Sequence, residues 1–262
     1  SAQISSFPLS DVRLEKGVLH HAQEVDKRYL LELDEDRLLY PFYREAGIPT
    51  TVQSYGNWEN TGLDGHVGGH YLSALALMYA ATNDTDIKAR LDKMVAEIVR
   101  CQSANHAGYV GGVPDGYKMW EEIRAGNIRA DNFSLNGRWV PLYNIHKLFA
   151  GLYDAHVIGG NTQARTAFLK LCDWFAGIVS GLSDQQLQNM LRSEHGGINE
   201  VFALAAELSG NNDYLILAKR LSHQKILSPL LKEQDSLTGL HANTQIPKVI
   251  GFKKIADLTG DA

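Results

Sequence analysis

Four polar side chains able to contact a ligand stand at a recurrent place in this sequence. His70 precedes Asn83-Asp84, His146 precedes Gly160-Asn161, His195 precedes Gly210-Asn211, and Gln245 precedes Gly260-Asp261. Imidazoles and amides can both donate and accept hydrogen bonds while uncharged, which suits a hydroxyl-rich ligand. His66 and His70, in Gly65-His-Val-Gly-Gly-His70, are four apart and share a helix face, a spacing that can also hold zinc. The segment lacks the glutamate of a His-Glu-x-x-His motif and has glycines between the histidines. Neutral imidazoles serving a ligand at a helix start, or histidines satisfied within the fold, therefore compete with a metal. Glu194 and Glu200 flank another helix start and could pair as the carboxylates of a glycoside cleavage; acids solvated at a helix N-terminus are the plainer reading. Gly108 to Gly112 lacks the Lys-Ser/Thr of a phosphate loop. Cys101 and Cys172 fall within amphipathic patterns and read as buried hydrophobes rather than a disulfide or a nucleophile. His20-His21 reads as surface.

The periodicity describes the elements that must position these residues. From Val67 to Ala81 almost every residue is apolar or small, the composition of a helix buried all round. After Asn83-Asp84, Ile87, Leu91, Met94, Val95 and Ile98 fall on one face, with Lys88, Arg90, Lys93 and Glu97 elsewhere, a half-exposed helix. The alternation repeats: Ile145 to Ile158 is followed by an Ala164, Phe168, Leu171, Cys172, Phe175, Ile178 stripe, and Ile198 to Leu208 by Tyr214, Leu217, Ala218 and Leu221. A fourth inner helix spans Ile246 to Leu258, with Pro247 near its start, where a missing N–H is tolerated. A leading helix covers Leu14 to Leu33. One helical hairpin used repeatedly predicts an all-α, incomplete (α/α)6-type toroid of about three and a half hairpins plus the leading helix, with the polar residues gathered at one rim.

With 262 residues, 44% hydrophobic and 21% charged, the chain can bury a large core as one domain, residues 1–262. A net charge of −5 and the lack of a basic stripe exclude a nucleic-acid partner. The longest apolar stretch, Leu72 to Ala81, is too short for a bilayer span. The sequence opens on Ser-Ala-Gln without an initiator Met, which suits a processed or trimmed N-terminus. Between Gln102 and Pro141, six glycines accompany Tyr109, Tyr117, Trp120 and Trp139. A connection this long is usually functional or disordered, and its aromatics imply order, either as a sugar-stacking surface or as pins to the core.

The rim segments Gly62-Leu-Asp-Gly-His-Val-Gly-Gly-His-Tyr-Leu-Ser-Ala74, Asn136-Gly-Arg-Trp-Val-Pro-Leu-Tyr-Asn-Ile-His-Lys147, Glu194-His-Gly-Gly-Ile-Asn-Glu200 and His241-Ala-Asn-Thr-Gln-Ile-Pro-Lys248 closely resemble the signatures of glycoside hydrolase family 127 and its relatives, the β-L-arabinofuranosidase group. The resemblance runs from about Leu14 to the last residue. It implies an (α/α)6 catalytic toroid, usually followed by β-rich domains, in secreted or periplasmic bacterial proteins that remove L-arabinofuranose from plant glycans with retention. His146 matches a histidine that in the family looks toward the arabinose, and His241 and Gln245 match a pocket-lining motif. Asp64, His66, His70, Trp139, Tyr143, His195 and Glu200 lie in the matching motifs and are further candidates for substrate binding.

The resemblance also implies a cysteine nucleophile beside a zinc ion held by a Glu-x-Cys segment and a Cys-Cys pair. This sequence contains neither, so no catalytic residue, metal ligand or cofactor is assigned within it. The family's acid/base glutamate also follows the fourth inner helix, and the sequence reaches Thr259-Gly260-Asp261-Ala262 where an outer helix should begin. The expectation is a fragment of a longer parent that supplies the sugar-binding side and is inactive alone. Its partner is an arabinose-containing oligo- or polysaccharide, and an open edge at Val249, Ile250, Phe252 and Ile255 favours self-association. Two alternatives remain: a non-catalytic carbohydrate-binding or interaction module, and another toroid sugar enzyme, a lyase or isomerase. A lyase acting on uronates needs a basic pocket, whereas the rim motifs carry few cations beyond Arg138, Lys147 and Lys248.

Overall fold

The recurrent turns are built alike in the computed structural model, which describes residues 5–261. Asn83, Gly160, Gly210 and Gly260 take left-handed backbone, with φ of 58, 71, 73 and 70°, which stops the preceding helix. In the first three turns the next residue, Asp84, Asn161 or Asn211, is extended. Its side-chain oxygen accepts first-turn N–H groups of the following helix at 2.9–3.0 Å. Thr82, Ser209 and Thr259 add a hydroxyl that donates to the carbonyl four residues back and accepts the N–H of Asp84, Asn211 and Asp261.

The chain runs through α1 (Val18–Glu32), α2 (Glu35–Glu45), α3 (His66–Thr82), α4 (Thr85–Ala104) and α5 (Gly116–Arg124) to a hairpin of β1 (Ser134–Leu135) and β2 (Arg138–Trp139). It continues through α6 (Pro141–Val157), α7 (Thr162–Val179), α8 (Asp184–Met190), α9 (Ile198–Ser209), α10 (Asn212–Arg220), α11 (Gln224–Leu230) and α12 (Ala242–Thr259). Helices α3, α6, α9 and α12 pack side by side in that order, with α4, α7 and α10 behind the first three. These are the predicted inner and outer helices, and they form the arc of an all-α toroid. No helix among the described residues is long and apolar enough to cross a membrane.

Several boundaries differ from the expectation. The leading helix is α1, within the expected Leu14 to Leu33, and a second helix, α2, which the periodicity did not mark, follows it where Asp34 is extended and accepts the N–H groups of Asp36 and Arg37. The inner helices α6 and α12 start four residues before their apolar runs, at Pro141 and Ala242. The first turn of α12, Ala242-Asn-Thr-Gln245, is polar, whereas that of α6 buries Pro141 and Leu142, with Leu142 part of the core. Pro247 consequently sits in the second turn of α12, inside the helix, where its missing N–H forfeits a bond. Of the expected open edge, Val249 and Ile250 are exposed together with Ile246, whereas Phe252 and Ile255 are half-buried.

The long connection is ordered chiefly by pins. Tyr109 and Trp120 are buried, and Trp120 packs edge-on against Trp174 and Phe175 at 5.8 and 5.7 Å. Farther inward, Phe149 meets Phe168, Phe175 and Phe202 at centroid distances of 5.9–6.3 Å, locking α6, α7 and α9 together. The β1–β2 hairpin turns through Asn136-Gly137, both at positive φ, the signature of a two-residue type I′ turn. It delivers Trp139 to the rim half-exposed.

The tightest joint is between α3 and α6. A Cβ built on Gly69 would lie 2.3 Å from the Lys147 carbonyl carbon, and one on Gly151 would lie 2.4 Å from the Gly69 oxygen. Gly69→Ala should force the two backbones apart and cost about 1–3 kcal/mol, the usual range for overpacking. Gly181→Ala, with nothing within 4 Å of its Cβ, should stay within about 0.5 kcal/mol of the parent in denaturant unfolding. Equal stability of the two variants would contradict the close approach.

Candidate functional site

The N-terminus of α3 is held by Glu59, which the spacing analysis did not find. Its buried carboxylate accepts the N–H groups of Gly65 and Val67 at 3.1 and 3.3 Å and lies 2.8 Å from His66 Nδ1. Negative charge is favoured at a helix start. Asp64 is woven into the scaffold: its carboxylate accepts from Arg44 Nη1 at 2.8 Å and from the Gly62 N–H at 2.9 Å, and its carbonyl accepts from Asn144. His66 and His70 stack edge-on at 6.1 Å. Trp58, also unread in the sequence, stands 6.3 Å from His66 and makes a T-shaped pair with Trp139 at 6.4 Å. Both indoles are solvent-accessible, and they form an aromatic ledge above the histidines.

Helices α6 and α9 contribute the middle of the face. Lys147, buried on α6, donates to His146 Nδ1 at 3.1 Å and lies 4.0 Å above the Tyr143 ring. With Nδ1 used as acceptor, the neutral His146 ring carries its proton on Nε2. Gly196 and Gly197, just before α9, let that ring approach: a Cβ on Gly197 would fall 2.9 Å from His146 Nε2 and 3.1 Å from Glu200 Oε2. His195 is fully buried, its Nδ1 3.0 Å from the Ser193 carbonyl. On α12, Lys248 is buried and donates to His223 Nδ1 and Gln245 Oε1, both at 2.9 Å. His223, another residue without a sequence signal, lies 5.6 Å from the His195 ring. His241 is exposed at the start of α12, edge-on to Phe133 at 6.1 Å.

Burial keeps the imidazoles neutral. Desolvation, reinforced by Lys147, lowers His70 to about 4 and pushes His146 well below its ordinary value. Desolvation and Lys248 lower His195 and His223 to about 3. The lysines feel the same cost: burial brings Lys147 and Lys248 down to about 8, opposed in both by the Glu194 carboxylate. Burial raises Glu200 above the usual carboxylate range. Of the six buried side-chain polar atoms without a partner among the described residues, five belong to Ser193, Glu194, His195, Asn199 and Thr244. Such orphans are rare in a scaffold, and these five cluster around the start of α9 and the α12 helix facing it.

The family model for the β-L-arabinofuranosidase, GH127 catalytic domain matches residues 11–262. The chain belongs to glycoside hydrolase family 127. The fold is similar to the crystal structure of a GH127 β-L-arabinofuranosidase from Geobacillus stearothermophilus T6, with a TM-score of 0.57 and 15% identity. That match covers 93% of this chain and 40% of the other, so the chain spans well under half the length of that structure. No curated protein sequence matches.

Among the described residues, no group of three or more His, Cys, Asp or Glu is placed to hold an ion. The two cysteines sit on α4 and α7, behind the inner helices and fully buried. Burial pushes Cys101 up to about 12 and Cys172 well above its ordinary value, which suppresses the thiolate.

Neutral burial of histidines in this family 127 chain carries a pH signature. An unfolded histidine titrates near 6.5, while His195 and His223 remain neutral down to about 3. Between those limits the unfolded chain binds more protons than the folded one, so stability falls as the pH drops below about 6.5. Denaturant midpoints measured from pH 7 to 4 should decline steadily, and His195→Asn should reduce the slope by about one proton. A midpoint level between pH 7 and 5 would refute the assignment.

Proposed function

We propose that the inner-helix rim holds a terminal L-arabinofuranose for retaining hydrolysis by a family 127 enzyme. We further propose that residues 11–262 supply the sugar-binding side and not the nucleophile or zinc ligands. The observation that carries the reading is the concentration of unpartnered buried polar atoms beside neutral imidazoles, on a chain that belongs to this family. A furanose presents hydroxyls that donate and accept within one small ring. His146 Nε2–H can donate to such a hydroxyl. His195, its Nδ1–H given to the Ser193 carbonyl, offers Nε2 as an acceptor, and Glu194 Oε1 offers another. Lys147 keeps a cation within electrostatic reach of Glu194 and Glu200, so the carboxylates can accept hydrogen bonds from hydroxyls without leaving buried charge uncompensated. The Trp58–Trp139 ledge offers a ring face for the apolar side of the sugar or of its leaving glycan.

Retaining hydrolysis also needs a nucleophile at the anomeric carbon and an acid at the leaving oxygen. Cys101 and Cys172 cannot reach a sugar on the rim, because each is enclosed in an outer helix. Holding without cleaving follows. The purified chain should therefore bind methyl β-L-arabinofuranoside by calorimetry or chemical-shift titration and release no nitrophenol from the corresponding nitrophenyl glycoside. His146→Ala should weaken binding about tenfold, the worth of one well-made hydrogen bond. Nitrophenol release would overturn the division of labour, and no binding at saturating sugar would overturn the site.

A further inference from the structure

Next to this rim, a cavity of about 290 Å³ opens at the start of α12, comparable to the smaller ligand clefts of other proteins. The charged side chains lining it are Arg192, Lys225 and Lys248; among the described residues no Asp or Glu lines it. This is a basic pocket that the four rim motifs did not foreshadow, because Arg192 and Lys225 lie outside them. No side chain caps the first turn of the 18-residue helix α12, so its positive end faces the cavity unshielded. A second, independent feature points to a ligand. Thr244, which lines the cavity, is 8% exposed, and its Oγ1 has no hydrogen-bond partner. Lys248 spends two of its three N–H bonds on His223 and Gln245, leaving one for another acceptor. Glu194 acts on Lys248 electrostatically but is not part of the lining. Phe133 and Leu240 supply apolar wall beside these donors, as a sugar ring with one anionic group requires.

We propose that this cavity binds the carboxylate of a uronosyl residue that neighbours the arabinofuranose, so that the glycan taken by this chain is acidic. The proposal rests on the arabinofuranoside reading only for the statement that both sugars belong to one glycan. Arg192 and Lys225 draw the carboxylate in from the exposed side. Lys248 and the Thr244 hydroxyl meet it inside.

Calorimetry on the full chain at low salt tests this with D-glucuronate, D-galacturonate, their methyl esters, inorganic phosphate and methyl β-L-arabinofuranoside. At least one uronate should bind at least about tenfold more tightly than its ester, the loss expected when a charge-assisted hydrogen bond is removed. Its Kd should rise with salt. Arg192→Gln and Lys225→Gln, both on exposed side chains, should each weaken the uronate severalfold and leave arabinofuranoside affinity unchanged. Thr244→Val should weaken the uronate while leaving the unfolding midpoint unchanged or raised. Equal binding of acid and ester, phosphate binding as tight as the uronate, or absence of uronate binding would each overturn the proposal. Arabinofuranoside binding without uronate binding would overturn this inference alone; uronate binding without arabinofuranoside binding would leave the cavity standing and sink the earlier reading.

Discussion

The site depends on the backbone contact between α3 and α6 at Gly69. Because no side chain intervenes there, the first turn of α3 and the second turn of α6 come within a residue's breadth, and His70 faces the His146–Lys147 pair across the joint. The same closeness desolvates both imidazoles and sets Lys147 against them. Side chains of ordinary size at Gly69 and Gly151 would widen the joint. The backbone contact thus sets how near His70, His146 and Lys147 come to one another at the rim.

Direction matters as much as distance. Each inner helix returns through an outer one, so the four inner helices run parallel and present their N-termini to the same rim. Their dipoles favour carboxylates and disfavour cations there, consistent with Glu59 capping α3 and with Glu194 and Glu200 flanking the start of α9. Buried cations persist at the rim only where a partner holds them. Lys147 has His146 and the Tyr143 ring, and Lys248 has His223 and Gln245. The two lysine–histidine pairs, one on α6 and one reaching from α12 to the start of α11, use a neutral imidazole as acceptor with Glu194 within electrostatic reach of both lysines.

The repeat was legible because its physics is local. A left-handed residue followed by an acceptor needs only two positions, Asn83-Asp84 or Gly210-Asn211, and the apolar periodicity on either side declares which helix is buried. The helix starts were less legible: the first turn of α12 is polar and lacks the apolar mark that the periodicity tracks, while in α6 Pro141 and Leu142 continue inward ahead of the run that begins at Ile145. Glu59, Trp58 and His223 gave no signal because their roles come from contacts with segments remote in sequence or from a surface that exists only after folding. Asp64 could be located but not interpreted: its motif placed it at the rim, yet Arg44, twenty residues earlier, engages its carboxylate.

Leaving Ser193, Glu194, His195, Asn199 and Thr244 with unpaired buried atoms costs stability, about 1–3 kcal/mol for a typical orphan. The opposite side of the same helices is packed by aromatic rings: Phe149, Phe168, Phe175, Phe202 and Trp120 interlock there, and the indole N–H of Trp174 is the one unpartnered buried polar atom beside them among the described residues. The fold therefore concentrates its apolar burial between inner and outer helices and its unsatisfied polarity at the inner helix starts. A ligand with several hydroxyls would satisfy in one binding event what the chain leaves open. That asymmetry, more than any single residue, sets the rim apart from the end of a helical bundle.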